Sequence, residues 1–243
     1  MRVFALGPMI WKRCGTVAIV ALLLLSTPPS GNAGPVEDGI AALDRGQFPE
    51  AYRAFLQGAQ AGNAEAQVQL AVMLIDALGV RRDYRAAARW LQAAADRGHR
   101  YAMYRLGRLF EDGRLGDAGL AQAVAWYTEA VRRREPSAAF RLAAFYEEGR
   151  GVRADRARAL KLYRLAAAGS VLKATHRLGS ALVQNKARTT DLVEGAMWLE
   201  LAWRGGDVDV LDELSDVRAT LTPAQRTAVR SRVRAHVRKE AHH

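Results

Sequence analysis

The sequence predicts an all-α protein built as a solenoid of stacked antiparallel helix pairs. The helix-forming residues Ala, Leu and Arg dominate, and there are only seven prolines in 243 residues. One pattern recurs every 36 residues, and each copy divides into two segments whose apolar residues have helical spacing. Because a single helix pair cannot bury its apolar face alone, successive pairs are expected to stack.

Leucine, alanine and tryptophan recur at fixed places in this 36-residue unit. A leucine marks the first half of each unit: Leu70, Leu106, Leu142, Leu178 and Leu214. An alanine lies four residues before it: Ala66, Ala102, Ala138 and Ala174. A large apolar residue marks the second half: Trp90, Trp126, Leu162 and Trp198. We expect all three positions, including the tryptophans, to lie in the core.

Each unit is predicted to form two helices joined by a short loop. The first helix is indicated by the i, i+4, i+8 spacing of Ala66, Leu70 and Leu74. The second is indicated by apolar residues spaced i, i+3, i+4 and i+7: Ala87, Trp90, Leu91 and Ala94. Glycines between the two helices favour a turn, and Asp83 and Asp155 are predicted to cap the second helix of their units.

Residues 64–74 and 79–94 resemble the Sel1-like repeat, a relative of the tetratricopeptide repeat with a 36-residue period. The resemblance implies a right-handed solenoid whose first helices line its concave face. It divides the chain into four repeats: 64–99, 100–135, 136–171 and 172–207. It is specific for the fold but not for a function, because such repeats serve as scaffolds in many tasks.

The N-terminus has the pattern of a secretion signal. Basic residues precede an apolar run over 15–25, and small residues end at Ala33, where cleavage is expected. The apolar run is shorter than the roughly 20 residues of a membrane span. We therefore predict a signal peptide over 1–33 and a periplasmic protein without a stable membrane span. The alternative is an uncleaved N-terminal anchor.

The two ends of the solenoid are predicted to be modified. Residues 34–63 form an N-terminal capping helix pair, and 208–243 form C-terminal capping helices with a basic tail. Thr222 and Gln225 have the spacing of a capping box at the start of the last helix. In that helix we expect a valine stripe to face inward and an arginine stripe to face solvent: Arg226, Arg230, Arg234 and Arg238.

The net charge of +11 is concentrated at the ends of the chain. Residues 34–217 hold 26 basic and 24 acidic residues, whereas 218–243 hold seven basic residues and one acid. A nearly neutral body and an export signal argue against nucleic acid as the partner. The basic segment 226–239 allows a weak contact with anionic lipid.

Motifs for catalysis or metal binding are largely missing from the sequence. One cysteine, Cys14, excludes a cysteine-based zinc site, and the five histidines lack the i, i+3 or i, i+4 spacing of metal ligands. A single Ser-x-x-Lys, Ser170 to Lys173, lacks the companion motifs of penicillin-recognising enzymes. We predict no metal, no cofactor and no enzymatic activity. A β-lactam hydrolase using Ser170 is the remaining enzymatic alternative.

The residue before the repeated leucine indicates a candidate binding surface. It is arginine in three successive repeats, Arg105, Arg141 and Arg177, which we name the arginine row. The resemblance to tetratricopeptide proteins implies that this position grips ligand carboxylates. Neighbouring positions on the first helices complete the predicted site: Tyr101, Tyr104, Arg108, Phe140, Lys173 and His176. Alternatively, the arginines are ordinary solvated charge, or Glu111 and Glu147 neutralise them.

Together these observations predict an exported scaffold. We expect it to bind a protein or peptide with an acidic segment through its concave face. The resemblance implies envelope, polysaccharide or signalling assemblies as its setting. The alternative ligand for the same basic groove is an acidic glycan or a peptidoglycan fragment.

Overall fold

The computed structural model describes residues 34–116, 119–184 and 189–240, all within one unit that begins at Gly34. In these ranges the regular structure is helical throughout, which confirms the all-α prediction. The predicted signal peptide, its cleavage after Ala33 and Cys14 lie outside the described residues.

Twelve α-helices are found in the described ranges, numbered in chain order. They are α1 Pro35–Asp44, α2 Phe48–Gln60, α3 Ala64–Asp76, α4 Tyr84–Asp96, α5 Arg100–Glu111, α6 Gly119–Arg132, α7 Pro136–Glu148, α8 Arg156–Ala168, α9 Leu172–Gln184, α10 Thr189–Arg204, α11 Leu211–Thr220 and α12 Pro223–Glu240. A short 3₁₀ helix, Val208–Val210, precedes α11. From α1 to α10, each helix packs against the helices before and after it in sequence, the arrangement expected of a solenoid.

The repeated leucines and alanines form the core, as predicted. The five leucines of the first-helix series are at most 3% exposed, and its four alanines are fully buried. The small residues of the second helices are buried as well: Ala87, Ala123, Ala159 and Gly195. These short side chains allow the paired helices to approach closely.

The tryptophan prediction was only partly right. Trp90, Trp126 and Trp198 are partly buried and pack against the edge of the core. The fully buried position is the following residue, one place further along the second helix: Leu91, Tyr127, Tyr163 and Leu199. A rotation of about 100° per residue carries this next position inward, and the larger indole is left at the margin.

Helix starts follow the predicted capping chemistry. The carboxylates of Asp83 and Asp155 accept the backbone N–H of Ala86 at 2.8 Å and of Arg158 at 3.0 Å. Thr222 and Gln225 bond each other's backbone N–H groups at 3.3 and 2.8 Å, which confirms the capping box before α12.

The last helix differs from its prediction in one respect. Val229 and Val233 are buried, whereas Val237 is 45% exposed. Arg226, Arg230 and Arg234 are exposed, as predicted, and they also line a cavity beside α10 and α11. The helix α12 packs against α10 through Val229, Val233 and His236, whose ring lies 5.2 Å from that of Trp198, and its arginines lie beside this contact.

Candidate partner-binding groove

Helix α5 brings four of the nine predicted site residues together. Its residues Tyr101, Tyr104, Arg105 and Arg108 are spaced i, i+3, i+4 and i+7, so they share one helical face. The helix starts at His99, whose Nδ1 accepts the backbone N–H of Ala102 at 3.3 Å.

Each arginine on this face is held by a tyrosine one turn earlier. Arg105 donates from Nη1 to the Tyr101 hydroxyl at 3.3 Å, and Arg108 donates from Nη1 to the Tyr104 hydroxyl at 3.5 Å. The two tyrosine rings lie 5.6 Å apart. The face is therefore partly preorganised before any partner arrives.

These four side chains line a cavity of about 510 Å³, which we name the groove. The groove lies between the end of α3, the start of α4, and α5 with the loop after it. Its other lining residues are Ile75, Asp76, Arg82, Tyr84, Leu109, Asp112 and Arg114.

The groove is basic and aromatic. Four arginines line it against two carboxylates, Asp76 and Asp112. The guanidinium groups of Arg82 and Arg114 lie 5.9 and 5.2 Å from the centre of the Tyr84 ring, within cation–π range. This combination suits a carboxylate carried on a chain with apolar or flat groups.

Arg108 has an unusual environment in the groove. Its Nη2 contacts Asp112 at 3.4 Å, but its Nε is buried without a hydrogen-bond partner in the described part of the chain. Only Gln67 Oε1 shares this condition there. A buried donor without a partner raises the free energy of the folded state by about 1–3 kcal/mol. A hydrogen bond from Arg108 Nε to an acceptor on a ligand would remove this penalty.

The three members of the arginine row have different surroundings. Arg141 lies 3.8 Å from Glu111, a side chain only 9% exposed that also pairs with Arg150 at 3.5 Å. Arg177, on α9, is exposed. Glu111 is thus an ion-pair partner of Arg141, as one of the sequence-based alternatives proposed. Among the three arginines of the row, Arg105 is the one that lines the groove.

Glu111 belongs to a pair that recurs in the two central repeats. The Tyr127 hydroxyl donates to Glu111 at 2.5 Å, and the equivalent Tyr163 donates to Glu147 at 2.7 Å. Burial, reinforced by the hydrogen bond to the glutamate, raises the pKa of both phenols well above the ordinary tyrosine value. Both phenols therefore remain protonated donors throughout the physiological range.

The remaining predicted residues lie outside the groove. Phe140 packs 6.0 Å from the Tyr163 ring, and Lys173 is exposed at the start of α9. His176 pairs through Nδ1 with Asp207 at 3.0 Å and lies 3.8 Å from Glu213. Four of the nine predicted residues therefore line the groove, and the other five lie beyond it.

Sequence reasoning missed the loop residues of the groove. Arg82, Tyr84 and Arg114 come from loops and helix starts; Arg82 and Tyr84 do not recur 36 residues later, whereas Arg114 recurs as Arg150. A signal was available, however. Loops of successive repeats lie at the same edge of a solenoid, so Arg82 and Tyr84 are expected near the end of the next first helix.

The structure also shows the surroundings of the candidate nucleophile Ser170, the potential metal ligands and the length of the helices. Ser170 is exposed with a φ of 61°, and Lys173 is exposed as well. In the described ranges no group of three or more potential metal ligands comes together. None of the described helices has both the length and the apolar character needed to cross a bilayer.

The fold and the groove define a class: an α-solenoid of helix pairs with a basic, aromatic cavity. The family model of the Sel1 repeat matches residues 64–99, 100–133 and 136–171. Residues 64–171 of the chain therefore carry three Sel1 repeats. Sel1 repeat proteins generally mediate protein–protein interactions.

Solved structures agree on the fold. A Sel1 repeat protein from Oxalobacter formigenes is 24% identical, with a TM-score of 0.67 over 73% of each chain. The protective antigen c5321 of uropathogenic Escherichia coli strains, which displays an SLR fold, is 20% identical, with a TM-score of 0.52. That match covers 83% of this chain and 53% of the antigen. A search of curated proteins finds no match.

Proposed function

We propose that this protein is an exported, non-enzymatic scaffold that binds an acidic segment of a partner protein in the groove. The observation that carries the proposal is the cavity in which Arg105 and Arg108 lie beside Tyr101, Tyr104 and Tyr84. Arginine and tyrosine are among the residues most enriched at binding hot spots.

The geometry of the groove supports an extended acidic peptide as ligand. A guanidinium fork binds a carboxylate through two parallel hydrogen bonds, and Arg105 has no carboxylate partner among the described residues. The tyrosine rings offer flat surfaces for the apolar part of the peptide. The first helices would present this groove on the concave face of the solenoid.

Export to the periplasm is part of the proposal and rests on the N-terminal sequence. The pattern over 1–33 is that of a secretion signal. The described unit begins at Gly34, directly after the expected cleavage site.

Affinity capture from an envelope extract tests the proposal. The bait is the chain from Gly34 onward, as wild type, as the groove variant Arg105→Glu with Arg114→Glu, or as the control Arg85→Glu with Arg89→Glu. The control makes the same charge change on exposed positions of α4 outside the groove.

The expected result is a protein retained by wild type and control but lost by the groove variant, with all three baits melting at similar temperatures. Equal retention by all three baits would place the binding surface elsewhere. Retention of carbohydrate without protein, lost by the groove variant, would favour the acidic glycan ligand instead.

A further inference from the structure

A second basic cavity lies at the C-terminal end of the solenoid, away from the groove. It is open to solvent, has a volume of about 540 Å³ and is lined by residues of α10, α11 and α12. Five arginines line it: Arg204, Arg218, Arg226, Arg230 and Arg234. The only acidic side chain among its lining residues is Glu200.

Glu200 engages two of the five arginines. Its carboxylate pairs with Arg204 at 3.2 Å and with Arg218, and its side chain is only 12% exposed. One carboxylate thus positions two guanidinium groups at the cavity. The five arginines and Glu200 together carry a net charge of +4.

The three arginines of α12 have no carboxylate partner in the described part of the chain. Arg226 and Arg234 each use only Nε, on the carbonyl oxygens of Leu221 at 3.0 Å and Arg230 at 3.4 Å. The guanidinium of Arg230 has no hydrogen bond or ion pair among the described residues. The terminal nitrogens of all three therefore remain available as donors.

The five arginines are exposed side chains, but they are gathered around one cavity instead of being spread over the surface. Like charges at i, i+4, i+8 repel one another and destabilise an isolated helix. Here, moreover, two further arginines come from α10 and α11, so the positive charge converges on the cavity from three helices. Buried apolar side chains, Leu214, Val229 and Val233, form its floor and hold the backbone in place.

We propose that this cavity binds a phosphate group carrying more than one negative charge, either free or on a lipid headgroup. Arginine forks match the oxygens of phosphate and donate several hydrogen bonds at once. A phosphate dianion would offset the repulsion among the α12 arginines, so binding should stabilise the fold.

The test uses the full chain and pyrophosphate at constant ionic strength. The site variant is Arg230→Gln with Arg234→Gln. The control variant is Arg232→Gln with Arg238→Gln, which removes the same charge from exposed positions of α12 that do not line the cavity. Calorimetry measures affinity and stoichiometry, and thermal unfolding measures stabilisation.

The expected result is one pyrophosphate per chain, a rise in melting temperature, and at least a tenfold loss of affinity in the site variant alone. Without ligand, the site variant should be no less stable than wild type. This readout separates lost binding from lost folding.

Sedimentation with vesicles separates the two sources of phosphate. Vesicles of phosphatidylcholine alone are compared with vesicles that also contain phosphatidic acid. Binding that depends on phosphatidic acid and on Arg230 and Arg234, without pyrophosphate binding, identifies a headgroup site. Equal losses in the site and control variants would reduce the effect to general charge and overturn the proposal, as would no binding of either probe.

Discussion

At the scale of single residues, the buried tyrosines of the central repeats show how a repeat varies its core. Tyr127 with Glu111 and Tyr163 with Glu147 are equivalent pairs, 36 residues apart. The first repeat has Leu91 with Ile75 at these places, and the fourth has Leu199 with Val183. Each pair changes as a unit because a buried hydroxyl needs an acceptor, and an apolar neighbour offers none.

The raised pKa of Tyr163 predicts how stability depends on pH. An unfolded tyrosine ionises near pH 10, whereas the folded phenol stays protonated to higher pH. The native state therefore holds more protons above pH 10, and stability falls as pH rises by about 1.4 kcal/mol per pH unit for this residue.

Urea unfolding of wild type and Tyr163→Phe between pH 8 and 11 measures this effect. The variant should be about 1 kcal/mol less stable at pH 8, because it lacks the hydrogen bond to Glu147. The difference should shrink or reverse above pH 10. Two parallel stability curves would show that the phenol does not contribute to the alkaline loss.

At the scale of helices, the caps were the most predictable feature. The acceptor side chains of Asp83, Asp155 and Thr222 could be identified from sequence because capping depends on residues three positions apart. The orientation of α12 could not be identified. It depends on which turns of α12 meet α10, and the valine spacing alone allows several registers.

Removing one of these caps should measurably lower the free energy of unfolding. Asp83→Ala leaves the N-terminal backbone of α4 without its side-chain acceptor and should lower the free energy of unfolding by about 1 kcal/mol. Asp44→Ala, at the exposed end of α1, removes a carboxylate from a helix C-terminus and should be neutral or slightly stabilising. Chemical denaturation of both variants makes the comparison, and equal effects would contradict the capping role.

The groove was only partly predictable at this scale. Tyr101, Tyr104, Arg105 and Arg108 follow from the helical spacing of α5. The pairing of Arg141 with Glu111 was one of the alternatives that the sequence left open, because it joins the end of one first helix to the middle of the next. Such a contact depends on the angle between repeats, and sequence periodicity carries no information about that angle.

At the scale of the whole molecule, the fold was predictable because the same pattern of buried residues recurs every 36 residues. Five leucines in one register specify a stacked core even where loops diverge. The same redundancy predicts that a central leucine contributes to more than its own repeat.

Leu142→Ala should lower the free energy of unfolding by about 2–5 kcal/mol, because it opens a cavity in the core of α7. Leu142 is 3% exposed. Leu165→Ala is the matched control. That side chain is 57% exposed, so its removal should change the free energy of unfolding little. Urea unfolding measures both, and a cost below 1 kcal/mol for Leu142→Ala would mean that the repeat core tolerates the void.

Contacts between helices that are neighbours in sequence also determine how the molecule deforms. No sheet or distant helix among the described residues braces one repeat against another two places away. If the proposed ligand moved α3 and α5 relative to each other at the groove, the contacts of that junction would provide most of the resistance. A change of a few degrees in the angle at that junction would displace the C-terminal helices farther than the helices at the groove, so binding at one repeat would change the position of the opposite end.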